Sequence, residues 1–215
     1  MSDLNKLPVF KGITQRQGYR YIEFFLLIMF LLLPVFPGGR AAAPFPEEME
    51  TPVDIHIPLF LKILSFDRNL KERVGDEIVM GIVYQQRFRK SLNIKNQVED
   101  YLSRLSTHHI DDVPFRYISI PLGSLSELKT TLEKSKVDII YITPLRAVSL
   151  ESLASISRSL GLTSLTGVPR YCESGISVSI GSKGGNPLII INLSAAQSEG
   201  ADFSSRLLKL AKVIK

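Results

Sequence analysis

Residues 108–112 read His-His-Ile-Asp-Asp, and all four polar side chains there are of types that bind divalent cations. Their spacing argues against a shared ion. Side chains at adjacent positions point apart on a helix or a strand, and zinc sites favour wider intervals. The stretch reads as a solvated loop between a helix and a strand. Residues 181–186, Gly-Ser-Lys-Gly-Gly-Asn, suggest a phosphate loop, but that pattern needs a Gly-Lys-Ser/Thr run opening a helix. Here apolar runs flank the glycines on both sides, so a hairpin turn is expected. Cys172 follows Val-Pro-Arg-Tyr. Arg170 nearby would favour a thiolate, which makes Cys172 the redox candidate, set against an inert buried thiol. As the one cysteine, it excludes an internal disulfide. His56 stands alone and suggests a local polar role. Residues 86–90, Gln-Arg-Phe-Arg-Lys, are basic with one aromatic. They suit a solvated helix start or a contact for an acidic partner surface. With no nucleophile elbow and three histidines, the chain offers no catalytic constellation, and neither a metal nor a cofactor is expected.

The elements that must position these residues alternate. A short buried helix is expected over 57–66 and an apolar strand over 76–84. An amphipathic helix follows over 88–106 and a strand over 115–121. Ser124 and Glu127 form a capping box that opens a helix. A buried strand over 137–143, a helix over 147–160 with Gly161 as its left-handed cap, and a strand over 162–168 come next. Two further strands, 175–181 and 187–193, flank the glycine turn. The fold class is α/β. It is a single domain with a mostly parallel sheet, helices on both faces and an antiparallel C-terminal hairpin at one edge, in the manner of a Rossmann/flavodoxin-like sheet.

The 215-residue chain carries a formal charge of +5, but much of it sits in a leader. Lys6, Lys11, Arg16 and Arg20 precede an apolar run over 24–36, and Gly38, Gly39, Ala41, Ala42 and Ala43 follow. This is the order of a secretory signal peptide, with cleavage expected after Ala41. An uncleaved signal anchor is the alternative, although the apolar run falls short of the roughly 20 residues a spanning helix needs. Residues 1–41 are thus read as signal peptide or anchor, 42–52 as a Pro- and Glu-rich linker, and 53–215 as the domain. Cleavage would remove five basic and two acidic residues and leave +2. A nearly neutral domain is no nucleic-acid binder by charge. Any membrane contact would run through the leader or a partner.

The C-terminal 25 residues hold two helix starts. Ser194 and Gln197 form one capping box, Gly200 ends that helix, and Asp202 or Ser204 caps the next. The last helix would carry a dry stripe of Phe203, Leu207, Leu208, Leu210, Ala211 and Ile214, docked on the domain's own sheet or, alternatively, on another chain. Arg206, Lys209, Lys212 and Lys215 would form a wet basic stripe.

Residues 181–214 resemble the C-terminal signature of the YfiR/HmsC-like periplasmic proteins. The matching positions are Gly184, Gly185, Asn192, Leu193, Ala195, Ala196, Gly200, Ser204, Ser205, Arg206, Leu207, Leu208, Leu210 and Ala211, and their role is expected to be mainly structural. The resemblance implies an exported, non-catalytic regulator. Its partner would be the periplasmic sensor domain of an inner-membrane diguanylate cyclase, whose output of cyclic di-GMP and biofilm it restrains. It also implies homodimerisation. Two departures stand out. Phe66 and Asp67 occupy the place of the family's Trp-Pro, and Cys172 stands alone where some members have a redox-relevant pair. Two contact surfaces are expected: the first helix, through Leu59, Phe60, Ile63 and Phe66, and the basic stripe of the last helix. The alternative is a periplasmic small-solute-binding protein. Its site would lie beyond the carboxyl ends of the strands, at Gln85, Gln86, Thr143, Pro144 and Arg146.

Overall fold

The computed structural model describes residues 48–105 and 109–214, which belong to one compact unit. The leader over 1–41, His108 and Lys215 lie outside the described residues. Among the described residues, eight strands form one sheet in the order β2-β3-β1-β4-β5-β6-β7-β8. These are β1 (Ile78–Tyr84), β2 (His109–Ile110), β3 (Val113–Pro121), β4 (Ile139–Ile142), β5 (Thr163–Thr166), β6 (Val178–Lys183), β7 (Asn186–Asn192) and β8 (Lys212–Ile214). The five strands β3, β1, β4, β5 and β6 run parallel. β2 is antiparallel to β3, and β7 to β6.

The helices are α1 (Val53–Leu64), α2 (Leu70–Arg73), α3 (Arg89–Ser103), α4 (Leu125–Lys134), α5 (Leu150–Leu160), α6 (Leu193–Ser198) and α7 (Ser205–Leu208). They cover both faces of the sheet, as the unbroken apolar runs require. A strand buried on both sides has no polar face to alternate with. Along β1, Ile78, Met80 and Ile82 join a core with Ile57, Phe60 and Leu64 of α1, Val98 and Leu102 of α3, and Leu207 of α7. Val79 and Val83 point the other way, to Leu128 and Leu132 of α4 and Leu153 of α5. The period of two thus sorts one strand's side chains between two cores.

Local signals decide most boundaries. Ser124 and Glu127 make the expected reciprocal cap on α4, and Gly161 ends α5 at φ 67°. Gly184 and Gly185 stand at φ 58° and 81° between the paired Lys183 and Asn186. Two consecutive left-handed residues make the tight hairpin turn that the glycines imply. Helix α1 begins earlier than expected, so Pro58 lies in its second turn.

The expectations about the C-terminal end are corrected. The last helix is a single turn, capped by the Ser204 hydroxyl, which accepts from the Leu207 N–H. The chain then extends as β8, parallel to β7, with Ile190, Ile191 and Asn192 opposite Lys212, Val213 and Ile214. The hairpin is therefore not the edge. Pairing with β8 satisfies the outer backbone groups of β7, and Val213 and Ile214 suit a strand better than a helix. Helix α6 is capped by Asn192, whose Oδ1 accepts from the Ala195 N–H at 3.0 Å, rather than by Ser194. Residues 48–52, placed in the linker by composition, are anchored. The Thr51 hydroxyl donates to the Gly181 carbonyl at 3.0 Å, and Glu50 accepts from the Ser182 N–H at 2.7 Å.

Candidate functional site

A cleft of about 650 Å³ opens beyond the carboxyl ends of β1, β3 and β4. Its lining comes from Gln85, Gln86, Arg87, Phe88, Pro121, Leu122, Gly123, Glu127, Arg146 and Ala147. Strand order explains the position. From β1 the chain crosses outward to β3 on one side, then returns past β1 to β4 on the other. Connections on opposite faces diverge between β1 and β4, and a crevice is left there.

The walls of the cleft are pre-set by a relay of hydrogen bonds beneath it. The Gln85 N–H donates to Ser91 Oγ at 2.8 Å. Ser91 Oγ lies 2.6 Å from Thr143 Oγ1, which itself donates to the Val83 carbonyl at 2.9 Å. Because the Thr143 proton is committed to Val83, Ser91 is the donor between the two hydroxyls. The relay ties the end of β1, the first turn of α3 and the end of β4 together. Above it, the Gln85 side chain grips the Arg146 backbone twice. It accepts from the Arg146 N–H at 2.7 Å and donates to the Arg146 carbonyl at 2.9 Å. The next residue, Ala147, takes a left-handed φ of 54°, a conformation that a non-glycine residue holds only when its surroundings impose it. The Arg146 guanidinium lies over the Phe88 ring, 5.4 Å from its centroid. Of the five sequence-derived positions, Gln85, Gln86 and Arg146 line the cleft. Thr143 and Pro144 are buried under it, because the Thr143 hydroxyl is used inside the relay. Of the other lining residues, Arg87 and Phe88 were expected only as part of a helix start or acidic-partner contact, Glu127 only as a helix cap, and Leu122 not at all. Position is the signal for Arg87, Phe88 and Leu122, which lie within four residues of a strand end, whereas Glu127 sits in α4.

Several titratable side chains are buried elsewhere among the described residues. His56 on α1 lies against β4. Its Nδ1 is 3.1 Å from the Thr51 carbonyl and its Nε2 2.9 Å from the Tyr141 hydroxyl. A carbonyl only accepts, so Nδ1 carries the proton and Nε2 accepts from Tyr141. Burial lowers the His56 pKa to about 4 and drives that of Tyr141 upward. Gly167 makes room for the ring, since a Cβ there would stand 3.2 Å from His56 Cε1. Glu199, just after α6, is fully buried. It accepts from the Ser164 N–H at 3.0 Å, the Ser164 hydroxyl at 2.6 Å and the Ser177 hydroxyl. Burial raises its pKa, and the serine hydrogen bonds pull the other way. Cys172 is also fully buried, with Sγ 3.2 Å from Ser179 Oγ. Burial pushes its thiol up to about 12 and outweighs any help from Arg170.

At the place of the family's Trp-Pro, Asp67 is buried. It accepts from the Arg73 guanidinium at 2.6 Å and the Asp202 N–H at 2.8 Å. Arg73 reaches on to Thr163 Oγ1 at 2.9 Å and the Gly161 carbonyl at 3.0 Å. This pair locks α2 to the C-terminal segment.

The expected contact surfaces change accordingly. Phe60 and Ile63 belong to the core at 1% and 2% exposure, which leaves Leu59 and Phe66, both half-buried, on that face. A helix nested on the sheet must bury its apolar stripe, and Phe60 and Ile63 belong to that stripe. Arg206, Lys209 and Lys212 are exposed, but spread over a helical turn and a strand they form no stripe. His109 is exposed on β2, next to a turn with Asp111 at φ 51°. Among the described residues no cluster of three or more His, Cys, Asp or Glu is placed to hold a metal. Nor is any helix among them long and apolar enough to cross a membrane.

Comparison with known proteins agrees with the resemblance in the tail and extends it. Among solved structures, a conserved domain protein from Vibrio cholerae O1 biovar El Tor strain N16961 superposes with a TM-score of 0.51 at 14% identity. The match covers 77% of this chain and 60% of that one. An ABC domain in complex with L-Trp from Streptococcus pneumonia superposes equally well, at 18% identity, over 72% of this chain and 60% of that one. The chain thus spans about three fifths of each of these proteins, and at such identities the likeness is of fold alone. No curated protein matches the chain significantly. The YfiR/HmsC-like family model matches residues 59–212, from within α1 to the start of β8. The chain belongs to the YfiR/HmsC-like family.

Proposed function

We propose that this protein is an exported, non-catalytic regulator of cyclic di-GMP signalling. It holds an inner-membrane diguanylate cyclase in its inactive state by binding the periplasmic sensor domain. The observation that carries this reading is the family match over nearly the whole described domain. The leader over 1–41 supports export, whether it is cleaved or kept as an anchor. The strand order supports reading the parallel part as a Rossmann/flavodoxin-like sheet, a scaffold that in itself says nothing of activity. An inhibitor of a two-state sensor needs only a preference for the off state, and a few kcal/mol of preference suffices.

Deleting the gene should raise cellular cyclic di-GMP, and the full chain should restore it. A version without residues 1–41, kept inside the cell, should fail to restore it. Unchanged cyclic di-GMP on deletion, or full rescue by the retained version, would refute the proposal.

A further inference from the structure

We infer that the cleft at the carboxyl ends of β1, β3 and β4 binds a small organic anion, with Arg87 and Arg146 holding its charged group. The inference concerns binding and stands apart from the regulatory reading. Its first ground is shape. A cavity of about 650 Å³ is in the range of small-molecule sites, roughly 300–1,000 Å³, and it lies where open α/β sheets receive ligands. Preorganisation is the second ground. The double hydrogen bond of Gln85 to the Arg146 backbone and the left-handed Ala147 fix one wall before any ligand arrives. A wall already ordered loses little entropy on binding.

Charge supplies the third ground. Five ion pairs join basic and acidic side chains among the described residues, and neither Arg87 nor Arg146 takes part in any of them. Both residues line the cleft. The one carboxylate in the lining, Glu127, has Oε2 committed to the Ser124 N–H as the reciprocal half of the α4 cap. The lining therefore carries an excess of one positive charge. Guanidinium groups meet carboxylates and phosphates with paired, charge-assisted hydrogen bonds. Phe88, Pro121 and Leu122 supply an apolar surface beside them, so the fitting ligand has an apolar body as well as an anionic head.

The test titrates the full chain with benzoate, phenyl phosphate, inorganic phosphate and neutral benzyl alcohol. Calorimetry and thermal shift serve as readouts. Saturable binding by benzoate or phenyl phosphate supports the inference, and the tighter of the two names the head group. Arg146→Gln and Arg87→Gln should each weaken it by about tenfold or more, the loss of one charge-assisted contact. Both side chains are exposed, and the backbone grip on Gln85 is kept. Arg116→Gln, which removes a cation paired with Glu77 at 2.7 Å, should change nothing. Benzyl alcohol binding as tightly as benzoate would overturn the inference. So would inorganic phosphate matching phenyl phosphate, undiminished binding in both cleft variants, or no saturable binding at all.

Discussion

Acid should loosen this fold through His56, and the size of the effect follows from its surroundings. In the unfolded chain the imidazole titrates near 6.5, whereas in the fold burial holds it at about 4. The folded state therefore binds fewer protons than the unfolded state between those two values. Stability is complete above about 6.5, falls as pH drops toward 4, and levels off below. At about 1.4 kcal/mol per pH unit the whole loss is about 3 kcal/mol, a large share of the 5–15 kcal/mol typical of a domain. His56→Gln is the control. A glutamine amide can still donate toward Thr51 and accept from Tyr141, but it does not titrate. Urea unfolding at steps from about pH 7 to about pH 4 should show the parent losing about 3 kcal/mol more than the variant. All other titrating groups are common to both proteins and cancel in the difference. NMR titration of the His56 ring should place its midpoint near 4 directly. Parallel stability curves, or a ring that titrates near 6.5 in the folded protein, would refute the reasoning.

Glu199 should act with the opposite sign. Its raised pKa means the fold prefers the protonated acid, so stability falls as pH rises above the ordinary value of 4.5. In urea unfolding, Glu199→Gln should flatten that alkaline side of the profile, and an unchanged slope would count against a buried neutral carboxyl. In the tail, Leu207→Ala should cost about 2–5 kcal/mol, because Leu207 is buried at 1% exposure. Leu210→Ala, at 68% exposure, should stay within about 0.5 kcal/mol, and equal losses in denaturation would revive the long docking helix. Native Cys172 should react with iodoacetamide far more slowly than the same thiol in urea, since a buried thiol near pKa 12 holds almost no thiolate at neutral pH. Rapid labelling of the folded protein would restore it as a redox candidate.

What the sequence made legible was whatever rested on short-range physics. Ile78–Tyr84 and Ile139–Ile142 announce strands buried on both faces because no polar residue interrupts them. Ser124 with Glu127, and Gly161, mark helix ends through contacts three or four residues long. The tail was misread because the same Leu-Leu-x-Leu-Ala spacing suits a helix until a distant demand intervenes. That demand is the open edge of β7, which recruits Lys212–Ile214 as a strand. Asp67, His56 and Glu199 were opaque for a related reason. Their partners Arg73, Tyr141, Ser164 and Ser177 include residues up to 85 positions away, and a polar residue looks solvated until its partner is known. The cleft was half legible. Strand ends named Gln85, Gln86 and Arg146, but only the register of β1 against β3 and β4 brings Leu122 and Glu127 to the same mouth.

The C-terminal signature marks how the domain closes, and this bears on where partners meet it. Gly184 and Gly185 turn the hairpin, and Asn192 caps α6 while its Nδ2 donates to the Cys172 carbonyl at 2.8 Å. Ala195 and Ala196 are buried. Gly200, at φ 86°, would bring a Cβ to 3.0 Å from the Arg73 side chain that seals Asp67. Leu207 belongs to the core, and of the signature's leucines and arginine only Leu210 and Arg206 stand well exposed. Side chains used for turning, capping and packing have no free groups left for a second molecule. Most of the signature is thus spent on the fold, while Arg206 and Leu210 remain open to solvent. Outside the signature, the described surface includes the carboxyl-edge cleft with Arg87 and Arg146, and half-buried Leu59 on α1 with Phe66 just past its end. Substitutions at Leu59 and Phe66 that abolish repression while leaving anion binding intact would separate a partner surface from a ligand site, and loss of both together would merge them.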